Sequence, residues 1–251
     1  MSTKSRYSYG LLEQYEDTTG ERVNPTGAPI VLDDDFLYGS LVYNAPGSIT
    51  PSCWWAKKIV GAGPPTVAGN ANDINGTVSC TLLATVEVED AELYAADQLV
   101  FSALQGLVFE ARVSVAVLPT LFAQVSWGMF GAYVAGHDNI PFAAYFTIRA
   151  NVNPALIYCD SRDGITSMDV SSGITIAAGA YHIYRIDFSD PTHIRFFIDG
   201  NEVGSGGASV FSWAASAANS KLQPFLGGYK NGGAGLGAIT IDYVRAWQKR
   251  Q

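Results

Sequence analysis

The sequence predicts an all-β protein of two packed sheets, and three observations carry that prediction. Short stretches alternate apolar with polar residues, clusters of Gly, Pro, Asn and Asp punctuate them from Ile30 onward, and helical periodicity is nearly absent. The 26 Gly and 11 Pro are scattered too widely to mark a linker. About a dozen strands in roughly 220 residues exceed an immunoglobulin-like sandwich of about 100 residues and suit a larger two-sheet jelly roll.

In chain order, residues 1–29 come first. They hold Tyr7, Tyr9, Tyr15, several charges and the turn formers of Asn24 to Pro29, with no sustained period of 2 or 3.6. They read as an extended N-terminal arm, and residues 30–251 as the jelly-roll domain. Within Val108 to Val117, Phe109, Ala111, Val113, Val115 and Val117 share one parity, while Glu110, Arg112 and Ser114 share the other. Tyr181 to Phe188 and His193 to Ile198 form a hairpin across the turn Ser189 to Thr192, and Asp199-Gly200-Asn201 turns the chain back again into Glu202-Val203. Ser212 to Asn219 holds at most a helical turn or two. Ile239 to Trp247 closes the domain as a strand. The expected core includes Phe109, Val113, Val115, Ile194, Phe196, Ile239, Ile241 and Tyr243.

Composition excludes several function classes. The 251 residues carry 15 Lys+Arg against 23 Asp+Glu, a net charge of -8 without any basic block, so no nucleic acid partner is expected. No apolar run reaches the roughly 18 residues of a membrane span, and the polar start lacks the apolar region of a secretory signal. Charged residues are 15%, low against a usual value near 25%; such a surface suits either cover by neighbouring subunits or a bland polar exterior. Cys53, Cys80 and Cys159 are far apart and read as buried thiols.

The runs GAYHIYRIDF (Gly179 to Phe188), HIRFFIDG (His193 to Gly200) and IDYVRAW (Ile241 to Trp247) resemble the concanavalin A-like lectin/glucanase group. That resemblance implies a sandwich framework and carries no chemistry by itself. Ala91 to Phe101, Gln105 to Val113 and Leu222 to Phe225 resemble, more narrowly, concanavalin-like virion proteins of tailed bacteriophages. This implies a structural virion protein that decorates or cements the capsid at the head surface and is made in the host cytoplasm. Its partners would be the major capsid protein and copies of itself, as a dimer or trimer. No enzyme activity, cofactor, catalytic residue or metal is expected on that reading. The alternatives are a carbohydrate-binding tail or fibre module and a glycoside hydrolase of the glucanase type.

Each alternative has candidate residues. Members of the group that cut β-glucans carry E-x-D-x-x-E or E-x-D-x-E, with a nucleophile and an acid/base on one strand face, about 5 Å apart in retaining enzymes. Here Glu87-Val88-Glu89-Asp90-Ala91-Glu92 keeps the outer spacing, but Glu89 replaces the central Asp and no Trp-Pro precedes it. Glu87, Glu89 and Glu92 are therefore expected to be an acidic strand end without a working pair. For glycan binding, Trp54, Trp55, Tyr229 and Asn231 are the candidate contacts, with Lys230 and His137-Asp138-Asn139 nearby in type. Adjacent Trp54 and Trp55 point to opposite faces of a strand, so at least one belongs to the core. His137, His182 and His193 lie on separate segments, and Asp33-Asp34-Asp35 cannot converge on one calcium ion, so they read as a solvated strand start. Tyr7, Tyr9 and Tyr15 are the expected assembly contacts of the arm.

Overall fold

The computed structural model describes residues 3–8, 11–16, 22–24, 30–37, 54–70, 73–74, 76–204, 211–213 and 220–249. Strands are numbered along the chain. β1 (Thr3–Ser8), β2 (Leu11–Glu16) and β3 (Arg22–Asn24) pair antiparallel as a small sheet of their own. The N-terminal arm thus contains paired strands, where lone extension was expected. The side chains of Tyr7, Tyr9 and Tyr15 lie outside the described residues.

The remaining strands make two eight-stranded sheets. Sheet I contains β4 (Ile30–Asp34), β6 (Thr66–Gly69), β7 (Val78–Leu82), β10 (Val108–Val117), β15 (Tyr181–Asp187), β16 (Arg195–Ile198), β17 (Asn201–Val203) and β19 (Gly237–Gln248), in the order β17-β16-β15-β10-β19-β7-β6 with β4 also on β19. Sheet II contains β5 (Ala56–Val60), β8 (Val88–Tyr94), β9 (Phe101–Ser102), β11 (Ala123–Phe130), β12 (Phe142–Arg149), β13 (Asn153–Asp163), β14 (Ser167–Thr175) and β18 (Lys221–Asn231), in the order β14-β13-β12-β11-β18-β8-β5 with β9 also on β18. All pairings are antiparallel.

The inner faces bury one aromatic cluster across the sandwich. Trp127 of sheet II meets the edge of Tyr184 of sheet I at 4.7 Å, and Phe146 meets Tyr184 at 5.1 Å and Phe196 at 5.2 Å between centroids. Phe109, Val113, Val115, Ile194, Phe196, Ile239 and Ile241 join the inter-sheet core as expected, but Tyr243 does not. The β10–β19 register shifts between Arg112 and Val113, which puts Tyr243 opposite Arg112 on the outer side of sheet I, buried with its hydroxyl donating to Glu110 at 3.2 Å. Ile194 sits one residue before β16 and is held by a single bridge to Phe211. Val117 departs from expectation and is exposed, because the β10–β19 register shifts between Ser114 and Val117. Asp199 and Gly200 have φ of 50° and 79°, the left-handed pair that closes the expected β15–β16–β17 meander. Residues 214–219 of the helical candidate, and Cys53, lie outside the described residues; Cys80 and Cys159 are buried free thiols.

The central strands of sheet II are buried on both faces. Ala91, Leu93, Trp127, Phe146 and Leu226 belong to the inter-sheet core, while Tyr94, Phe130, Ala143, Tyr145 and Phe225 form a second cluster on the opposite, outer face. Part of the β11–β12 connection, with a 3-10 turn at His137–Asn139, packs over that outer face.

Candidate functional site

Strand alternation on β8 decides which carboxylates meet. Ala91 and Leu93 face the core, so Glu89 shares their side and Asp90, Glu92 and Tyr94 share the outer side. Glu87 precedes the strand at the surface, where its carboxylate accepts the Ala62 and Gly63 amides at 2.6 and 3.1 Å; these bonds hold it below the usual carboxylate range. Glu89 accepts the Leu83 amide at 2.8 Å and lies 3.3 Å from Lys230 Nζ, both side chains fully buried. The Glu87-Glu89-Glu92 set is therefore split over three environments. The pair on one face is Asp90 and Glu92, two positions apart, which the spacing of the glutamates does not single out.

The pairing register places a polar row across the outer face, Lys58-Glu92-Gly227-Ser126-Thr147-Tyr158. A second row runs Asp90-Tyr229-Gln124-Arg149. Gly227 is required opposite Glu92, since a Cβ there would stand 2.7 Å from the Glu92 Cα and 2.5 Å from the Ala91 carbonyl oxygen.

Asp90 accepts the Tyr133 hydroxyl at 3.2 Å, and the Tyr133 ring stacks on Tyr94 at 5.2 Å and lies 5.8 Å from the Lys58 ammonium. Burial raises the Asp90 carboxyl above its ordinary range, against the opposing pull of Tyr133 and Lys58. Glu92 is raised well above its ordinary value, first by complete burial and then by the charge of Asp90. Neither Glu92 oxygen has a hydrogen-bond partner among the described residues. His137 stands over it, Nδ1 3.4 Å from Glu92 Oε1 and Nε2 3.0 Å from Ser126 Oγ, and burial lowers its pKa to about 4. Burial thus disfavours charge on the imidazole and on the carboxyl that faces it.

The far side of the same face is a closed ion network. Arg162 grips Asp160 through Nε and Nη2, each at 3.0 Å, and donates to the Asp138 carbonyl; Arg149 reaches Asp160 at 3.3 Å and Asp169 at 2.5 Å. Gln124 donates to Asp138 at 2.8 Å. Burial raises Asp160 despite its two arginines, whereas in Asp138 the burial effect is outweighed by His137, Gln124 and the arginines, which hold it low.

The other sequence candidates fall as follows. Trp55 is buried with its indole N–H on Asp34 Oδ2 at 2.6 Å, which removes it from any glycan contact, while Trp54 is 46% exposed. Tyr229 belongs to the outer face, against the His137 ring at 5.8 Å, and Asn231 is exposed at the end of β18. His182 pairs with Asp199 and His193 with Asp190 at separate turns. The three aspartates are not a simple solvated start: Asp33 pairs with Arg245 and Asp34 holds Trp55 and the Phe36 amide. Among the described residues no group of three His, Cys, Asp or Glu side chains converges as a metal site would.

No family model matches the sequence, and no curated protein matches it. Solved structures do match in shape. A non-specific endo-β-1,3(4)-glucanase from family GH16 aligns with a TM-score of 0.57 at 15% identity, over 90% of this chain and 93% of that one. The laminarinase from Rhodothermus marinus gives 0.55 at 16%, over 88% and 97%. The endo-β-1,4-glucuronan lyase from the fungus Trichoderma reesei gives 0.56 at 15%, over 88% and 96%. These neighbours, two glucanases and a lyase, run against the expectation that the chain is not an enzyme. None of the three bears on a capsid, an oligomer or a virion location. What they share with this chain is the fold, a concanavalin-like jelly-roll sandwich.

Proposed function

We propose that the chain is a glycoside hydrolase of the glucanase type that acts on a neutral polysaccharide at the outer face of sheet II. One observation carries the reading: two carboxyls project from the same face of β8, both raised by burial, with the Asp90 charge helping to keep Glu92 protonated. Environments that push two carboxyls apart separate an acid from a base. Glu92, holding its proton, donates it to the glycosidic oxygen as the bond to the anomeric carbon breaks. Asp90, ionised, attacks that carbon from the opposite side, and water then releases the sugar with Glu92 as base. Residues i and i+2 of a strand have Cα atoms about 7 Å apart on one face, a spacing that suits the approximately 5 Å carboxyl separation of retaining chemistry.

The surroundings favour an uncharged chain. Asp138, Asp160 and Asp169 already engage Arg149 and Arg162, and His137 is neutral, so a polyuronate would meet a face dominated by carboxylates. Tyr94, Tyr133 and Tyr229 supply rings for sugar C–H faces. Asp90 and Glu92 are almost fully covered by Tyr133, His137 and their neighbours, so productive binding displaces that segment.

The test is release of reducing ends from laminarin and mixed-linkage glucan. Wild type should release them, Glu92→Gln and Asp90→Asn should each lose about 100-fold or more, and Glu87→Gln should behave as wild type. Absence of hydrolysis, or unsaturated products from glucuronan in its place, would overturn the reading.

A further inference from the structure

We infer that Phe122 is a second glycan-contact residue, an aromatic platform that holds the polysaccharide beyond the carboxyl pair. The inference takes its ligand class from the hydrolase reading and rests otherwise on the turn that carries the ring.

Leu121 and Phe122 are the central residues of a tight turn closed by the Ala123 amide on the Thr120 carbonyl at 3.2 Å. Their φ values are 33° and 60°. Such a left-handed pair is ordinarily Asn-Gly or Asp-Gly, because a Cβ is disfavoured there. Here two large apolar residues occupy it, and they are 62% and 59% exposed. Backbone strain retained to hold an aromatic ring in water points to a function for the ring.

The turn is held rigidly. The Thr120 amide donates to the Leu236 carbonyl at 2.8 Å, the Leu236 amide donates back to Thr120 Oγ1 at 2.9 Å, and the buried Lys230 ammonium reaches the Gly235 carbonyl at 3.3 Å. Gly233 makes room for the ring, since a Cβ there would stand 2.6 Å from Phe122 Cδ2. A ring fixed before binding loses little freedom when a sugar stacks on it.

It lies at the end of a strand that crosses the site. Phe122 lies two residues before Gln124, whose neighbours across the sheet are Tyr229 and then Asp90. Two strand spacings and two residues along the strand put it about 12 Å from Asp90, roughly two or three hexose units. The platform should therefore matter for polymers and not for short substrates.

Two assays separate this inference from the hydrolase reading. In the first, retention on a laminarin-containing native gel is measured in a Glu92→Gln background, where no cleavage occurs. Phe122→Ala should reduce retention at least fivefold, Phe122→Tyr should restore it, and Ile165→Ala, an exposed apolar residue at the opposite end of sheet II, should leave it unchanged. In the second, Phe122→Ala in the active protein should raise KM for laminarin several-fold with kcat unchanged, and leave laminaribiose kinetics alone. Phe122-dependent retention without hydrolysis by wild type would uphold this inference and sink the hydrolase reading. Hydrolysis that is indifferent to Phe122→Ala, or no retention of any variant, would overturn the inference.

Discussion

At the scale of single residues, the site is defined by ionisable groups buried away from solvent. Glu92 has a folded pKa above the ordinary 4.5, so the folded state binds its proton more tightly than the unfolded chain does. The resulting stability is fully present below about pH 4.5 and is lost as the pH rises toward the folded value. His137 has the opposite sense: with a folded pKa of about 4 against 6.5 unfolded, its neutral ring is most comfortable above pH 6.5 and costs stability as the pH falls toward 4. Glu92→Gln keeps the shape and removes the titration. It should raise the melting temperature at about pH 8 by the equivalent of about 1–3 kcal/mol, the usual cost of an uncompensated buried polar group. The gain should shrink steadily toward pH 4. A constant gain across that range, followed by calorimetry, would mean that Glu92 is not the buried acid described.

At the scale of elements, β8 shows why part of the site could be read and part could not. Its run of alternating and adjacent acids offers carboxylates on both parities, and only the knowledge that Ala91 and Leu93 are core selects Asp90 with Glu92. The Ala-x-Leu alternation was the available signal. β10, β15 and β19 of sheet I were legible because polar Glu110, Arg112, Arg185 and Asp242 mark their outer sides. β11 and most of β12 are buried on both faces, so alternation between apolar and polar residues has no reason to appear there. The 131–141 connection that places His137 and Tyr133 over the pair leaves no periodic trace at all. The Lys230-Glu89 pair on the core side can be tested directly, since Lys230 Nζ also donates to the Leu83, Thr85 and Gly235 carbonyls. Lys230→Met alone should cost about 3–5 kcal/mol in denaturant unfolding, because it strands Glu89. Lys230→Met with Glu89→Gln should recover a substantial part; equal losses would show that the carbonyl contacts, and not the ion pair, dominate.

At the scale of the whole molecule, the two sheets divide their tasks. Sheet I contributes Tyr184 and Phe196 to the common core, while sheet II supplies both the facing rings and the outer face with the carboxyl pair. Large buried aromatics on both sides of the centre of sheet II leave little room for its strands to shift, which on the hydrolase reading would keep the separation of the two carboxyls fixed. The small β1–β3 sheet forms separately from both.

One pairing has a consequence for how such a domain can be used. β4, which opens the jelly roll, runs antiparallel beside the last strand, with Ile30 opposite Gln248 and Val31 opposite Trp247. The chain therefore comes in and goes out at neighbouring points on one edge of the fold, as a loop insert does. A permuted chain that joins residue 249 to residue 30 through a short Gly-Ser linker and opens at the exposed Gly164-Ile165 turn should fold with a melting temperature within a few degrees of the parent. The same adjacency would let the jelly roll be spliced into a surface turn of an unrelated carrier without stretching either partner, making it a plug-in cassette as well as a freestanding body.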